Sequence, residues 1–192
     1  MIRVTSGTAK GKKLELPNVE GIKSPQDVFK LAVFSIIGEK VQNAQCLDLF
    51  AGSGAFGIEA LSRGAAHCIF VDQNYDAIGT IMKNLELCEF TEKATLFKKP
   101  AVKYAQKYLE QINEQNAPKL DLIFMDPFFE DTKQTHLLKI LALILKQEGL
   151  IFYSHSKDTD PTEILEGTNL HSIEQRRYNN AALTILERIK ND

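Results

Sequence analysis

One ten-residue stretch restricts this chain to a narrow set of folds: Asp48-Leu49-Phe50-Ala51-Gly52-Ser53-Gly54-Ala55-Phe56-Gly57. It carries G-x-G-x-x-G after the apolar run Cys46 to Phe50 and before a helix-like run, Ile58 to Arg63. Strand, glycine turn and helix in that order make a nucleotide-binding loop. The acid Asp48, four residues before the first glycine, narrows the ligand further. A dinucleotide loop turns amides and a helix N-terminus towards a pyrophosphate, which an acid at the strand end would repel. An acid there suits a cationic, amino-bearing ligand. S-adenosylmethionine has a sulfonium, an ammonium and a ribose, and no phosphate.

The elements around the loop point to an α/β fold. Ile2-Arg3-Val4 and Leu14-Glu15-Leu16 flank a Gly/Lys loop and read as a hairpin. A helix is expected over 26–37, with Gly38 as its stop. Strands are expected at 46–50, 66–72, 94–97, 120–126 and 150–153. Helices from Gly57 and over 75–87, 102–112 and 136–146 alternate with them. Repeated βα units give a parallel sheet covered by helices on both faces. Segments 170–173 and 182–187 then predict two strands with no helix between them, a closing antiparallel hairpin. At 192 residues the chain is expected to be a single domain. Residues 1–40 would be its hairpin-and-helix extension and 41–192 its core.

Composition excludes several classes. The chain is 44% hydrophobic and 25% charged, as an ordinary globular protein is. No apolar run approaches the ~20 residues of a membrane span, and Met1 to Thr5 lack a signal peptide's apolar segment. Cys46, Cys68 and Cys88 form no C-x-x-C pair, which favours a reducing, cytoplasmic setting. His67, His136, His155 and His171 have no ligand spacing, so no metal is expected. Net charge is −2, yet Arg3, Lys10, Lys12 and Lys13 fall in a segment with no acid, and Arg176-Arg177 lie together near the other end. These are two candidate phosphate grips; a solvated surface is the plainer alternative.

Three acids end strands. Asp72 lies 20 residues after Gly52, where an acid accepts hydrogen bonds from ribose hydroxyls; the alternative is a cap for the helix beginning near Asn74. Asp126 opens Asp126-Pro127-Phe128-Phe129, either an acceptor site or a strand end followed by core aromatics. In an open α/β sheet, Asp48, Gly52, Asp72 and Asp126 would share one edge.

The run Leu47 to Ala65 resembles motif I of the RsmD-type 16S rRNA guanine-N2 methyltransferases. Gly7 to Leu14, Phe70-Val71-Asp72, Asp121 to Pro127 and Arg177-Tyr178-Asn179 resemble further segments of that family in the same order. The resemblance implies a seven-stranded Rossmann-like class I methyltransferase fold with S-adenosylmethionine as donor. The implied acceptor is a guanine amine of 16S rRNA, free or in a small ribosomal particle. It implies a cytoplasmic monomer. By position, Asp48, Phe50 and the loop Ala51, Gly52, Ser53 and Gly54 would hold the methionine end. Asp72 and Gln73 would hold the nucleoside. Asp126 and the Pro127 carbonyl would grip the amine, Phe129 would stack on the base, and Arg3, Lys10, Lys12, Lys13 and Arg177 would meet RNA. Two departures stand out: Phe128 replaces a second proline, and Asp27-Val28-Phe29-Lys30-Leu31 replaces Asp-Arg-Val-Arg-Glu. They leave room for a weakly catalytic RNA-binding assembly factor, or for a different amine acceptor. A nicotinamide dehydrogenase is the other enzyme class a glycine loop admits.

Overall fold

The computed structural model describes residues 2–18, 27–127, 134–178 and 181–189. A small hairpin opens the chain, β1 (Ile2–Arg3) against β2 (Lys13–Leu14), and α1 (Asp27–Ile37) follows. The core then alternates: β3 (Gln45–Leu49), α2 (Ala55–Ser62), β4 (His67–Asp72), α3 (Tyr75–Cys88), β5 (Ala94–Lys98), α4 (Ala101–Gln115), β6 (Leu120–Met125), α5 (Gln134–Ile144) and β7 (Leu145–Ser156). A short α6 (Pro161–Leu165) leads to β8 (Leu170–Tyr178) and β9 (Ala181–Arg188). The described strands form a seven-stranded sheet ordered β5-β4-β3-β6-β7-β9-β8. Its first five strands run parallel, and β9 is antiparallel to both β7 and β8.

Alternation along each strand divides the interior in two. Cys46, Phe70, Phe124 and Phe152 face α1, α2 and α3. Leu47, Leu49, Val71, Ile123 and Ile151 face α4 and α5. Strands buried on both faces read as near-continuous apolar runs, which is why they were legible. Two expected boundaries move, and one short helix is new. Helix α2 begins at Ala55 rather than Gly57. Helix α5 stops at Ile144, because Leu145 pairs with Leu120 and Lys146 reaches Asp121 at 2.7 Å. The cap Asp160 starts the unanticipated α6 with Pro161 in its first turn.

The chain winds outward from β3 through β4 to β5, then returns to β6 on the other side of β3. Loops leaving β3 and β6 therefore diverge, opening a crevice at the sheet's carboxyl edge. Gly57 lets α2 close onto that sheet. A Cβ there would lie 2.3 Å from Phe70 Cε1 and 2.6 Å from Cys68 Sγ, both deep in the core. In Gly57→Ala the overpacking costs about 1–3 kcal/mol against a helix-propensity gain of at most ~1 kcal/mol. A net loss of stability is expected, read as a lower urea midpoint at constant m-value.

Candidate active site

The loop after β3 turns through two left-handed glycines, Gly52 (φ 55°) and Gly54 (φ 76°), with Phe50 also at positive φ (57°). Beyond the strain on any side chain at that φ, a Cβ on Gly54 would press on Ile81 and Phe70 at 3.3 Å. Three of the loop's amides have partners within the chain. Asp72 Oδ2 accepts from Gly52 N at 2.9 Å, the Ala51 carbonyl from Gly54 N at 2.7 Å, and Asp48 Oδ2 from Gly57 N at 2.9 Å. These three amides are thus satisfied internally, two of them by the acids Asp72 and Asp48.

Asp48 is not on an open rim. Only 2% of it is exposed, and it lies under the first turn of α2. Burial pushes its carboxyl well above the usual range; the Gly57 hydrogen bond opposes this, and the charges of Asp126 and Asp72 add to it. Asp72, half-buried, also accepts from Asn74 N at 2.8 Å. The cap of α3 is Asn74 itself, whose Oδ1 accepts from Asp76 N and Ala77 N, so the capping alternative for Asp72 falls away. Gln73 beside it is exposed. Ser53 is buried, and its carbonyl accepts from Asn84 Nδ2 at 2.9 Å. Asp126 follows the last residue of β6, half-buried, with Pro127 buried behind it. Burial raises the Asp126 carboxyl, and a hydrogen bond from the Ser154 side chain opposes the rise. Phe128, Phe129 and Asn179 lie outside the described residues.

The predicted cations separate. Arg177, exposed on β8, lies near the carboxyl edge, since its neighbour Tyr178 pairs with Ala181 and Ala181 with Ser156 at the end of β7. The hairpin loop goes to the other edge. Thr8 N and Ala9 N donate to Ser62 O and Oγ, at 2.8 and 3.0 Å, at the C-terminus of α2. Lys12 donates to Leu87 O and Glu89 at the C-terminus of α3, where a cation complements the helix dipole. Lys10 and Lys13 are exposed, as is Arg3. Since α3 has 14 residues, Lys12 stands about 20 Å from the carboxyl edge. The two candidate phosphate grips therefore lie apart, because α2 and α3 run back across the sheet and carry the hairpin loop away from the carboxyl edge.

Sequence reasoning missed the residues that clamp the N-terminal segment to the core. Glu59 is fully buried and accepts from Thr5 N (2.8 Å), Thr5 Oγ1 (2.6 Å), Ser6 N (3.0 Å), Arg63 Nε (2.8 Å) and Lys30 Nζ (3.3 Å). Lys30, fully buried too, also donates to the Arg3 carbonyl. Asn84 exchanges hydrogen bonds with the Glu15 backbone while holding Ser53. A signal was present for Asn84, a polar residue on the apolar face of Ile81 and Leu85. Glu59 sits inside an eight-residue helix that is buried throughout, where no polar stripe marks it.

A parallel sheet with a reversed closing hairpin, and acids at the carboxyl ends of its central strands, is the class I methyltransferase arrangement. The chain matches the family described as conserved hypothetical protein 95 over residues 2–187, and it belongs to that family, the RsmD-type methyltransferases. It is 34% identical over 164 residues to YlbH of Bacillus subtilis, covering 84% of this chain and 86% of that one. It is 29% identical over 160 residues to ribosomal RNA small subunit methyltransferase D of Haemophilus influenzae, covering 82% and 80%. The solved structure of yhhF from Escherichia coli shares its fold, with a TM-score of 0.79 at 24% identity over 97% of both chains. No described helix is long and apolar enough to cross a membrane.

Proposed function

We propose that this chain, acting as one domain over residues 1–192, transfers a methyl group from S-adenosylmethionine to the N2 amine of a guanine in 16S rRNA. One observation carries the choice of donor: the Gly52 and Gly57 amides of the loop are held by the acids Asp72 and Asp48. A pyrophosphate would displace carboxylates from those amides and face like charge. A sulfonium and an ammonium are attracted instead. This argues against the nicotinamide alternative. A carboxylate oxygen has more than one lone-pair site, so Asp72 retains acceptor capacity for ribose hydroxyls beside its Gly52 and Asn74 bonds.

A guanine amine is a poor nucleophile because its lone pair is delocalised into the ring. In this reading Asp126 and the Pro127 carbonyl accept its two N–H bonds, drawing nitrogen towards tetrahedral geometry and freeing the pair. The bound donor supplies an electrophilic methyl group. As the N–C bond forms, nitrogen sheds a proton, which Asp126 receives; burial has already raised its proton affinity. The remaining catalysis is alignment and charge placement. An extruded base needs a stacking face, a role the resemblance gives to Phe129. Arg177 at the carboxyl edge would meet phosphate near the target. Lys10 and Lys13 would meet it about a helix length away, which suits a large folded RNA.

Donor binding is read by melting. S-adenosylhomocysteine at one hundred times its Kd is expected to stabilise the chain by ~2.7 kcal/mol, roughly 5–10 °C for a protein of this size, while NAD leaves the midpoint unchanged. The acceptor is read by supplying tritiated S-adenosylmethionine with 16S rRNA or small-subunit particles and digesting the product to nucleosides. Label in N2-methylguanosine supports the proposal; label in an adenine or in protein overturns it.

A further inference from the structure

We infer that Ser154 is a positioning residue for the methyl transfer proposed at Asp126, and the inference rests on that function. Met125 pairs with Tyr153 across parallel strands, so the next residues, Asp126 and Ser154, leave β6 and β7 side by side. Neighbouring strands lie about 4.8 Å apart, within reach of a short hydroxyl. Ser154 is 5% exposed on the face that carries Phe152, and Asp126 follows Phe124 on the same face, so the register sets the hydroxyl beside the carboxyl. A serine at the end of an aromatic-rich strand face has little reason to be polar other than this partner.

The hydroxyl donates its proton to one Asp126 oxygen. That fixes the carboxylate's rotation and leaves the other oxygen for the target amine. It also opposes the pull of burial towards the protonated, donor-competent form, which could not accept an N–H. Among the described residues, the charged groups facing this layer are few. Asp48 projects from β3 beneath α2. Lys30 on α1 and Glu59 on α2, with Arg63 just beyond it, bond to one another. Arg176 on β8, level with Leu183, is tied to Glu174 at 2.6 Å. Burial opposes ionisation of Asp126, and the Ser154 hydroxyl is the polar group that favours it.

Steady-state methylation of 16S rRNA by Ser154→Ala, Ser154→Thr, Asp126→Asn and the unaltered chain tests this across pH 5.5–9. Ser154→Ala is expected to lower kcat by about tenfold, the scale of one hydrogen bond to a charged group. It should also shift the acidic limb of kcat/KM upward. KM for the donor, affinity for S-adenosylhomocysteine and the melting midpoint should stay near those of the unaltered chain, and Ser154→Thr should restore the rate and the limb. An unmoved acidic limb overturns the inference. So does a rate loss accompanied by equal loss of product affinity or of melting temperature, which would mark packing alone. Should Asp126→Asn methylate as well as the unaltered chain, the proposed function fails first. An inactive Asp126→Asn beside an unchanged Ser154→Ala removes only the Ser154 assignment.

Discussion

Asp126→Asn is expected to lower methyl transfer by about 10²–10³-fold while leaving affinity for S-adenosylhomocysteine within a few-fold. The amide keeps one acceptor oxygen but adds an N–H pair that opposes the incoming amine, and it takes up no proton. The fold should not suffer. Burial already disfavours the ionised carboxyl at this position, and Asp48 loses a negative neighbour. The variant should therefore melt at or above the temperature of the unaltered chain. Single-turnover transfer to 16S rRNA, with calorimetric titration of the product, separates chemistry from binding. Loss of product binding in parallel with rate would place Asp126 in the cofactor pocket rather than at the acceptor.

The second large effect lies at the clamp. Glu59→Ala withdraws the carboxylate that the buried Lys30 faces, together with the acceptor for Thr5, Ser6 and Arg63. Breaking a buried pair by removing one partner costs about 3–5 kcal/mol, and that is the expected fall in unfolding free energy by urea titration. The pH dependence carries a definite sign. Burial pushes the Glu59 carboxyl up, but its bonds from Thr5, Lys30 and Arg63 outweigh burial and hold its pKa below the ordinary 4.5. A depressed folded pKa gives stability that is complete above the unfolded value and lost as pH falls through the folded one. The unaltered chain should lose stability below about pH 4.5, and Glu59→Gln should flatten that part of the profile. Identical acid profiles for the two chains would refute the ionised clamp. Since the same residues hold Arg3 and the basic loop in place, Glu59→Ala should also weaken RNA binding at temperatures where the core remains folded.

Much of the site could be read along the chain because its parts are local. Gly52, Gly54 and Gly57 announce a turn whose backbone few other residues can adopt. Asp72 and Asp126 each close an apolar run, and the end of a buried strand is the end of its run. The closing hairpin was visible because two β-like segments had no helical period between them. The end of α5 was not, since Leu145 and Lys146 continue a helical pattern and only pairing with Leu120 and contact with Asp121 draw them into β7.

Chain order and side-chain periodicity alone thus determined the parallel sheet, the glycine loop and the acids placed at strand ends, because each depends on neighbours a few residues apart. Tertiary structure alone decided that Asp48 lies beneath a helix, that Lys12 serves the far end of α3, that Glu59 gathers Thr5, Lys30 and Arg63, and that Ser154 meets Asp126. Those outcomes join residues up to 77 positions apart. No local pattern encodes them, because they follow from which strands become neighbours and how far each helix runs back across the sheet.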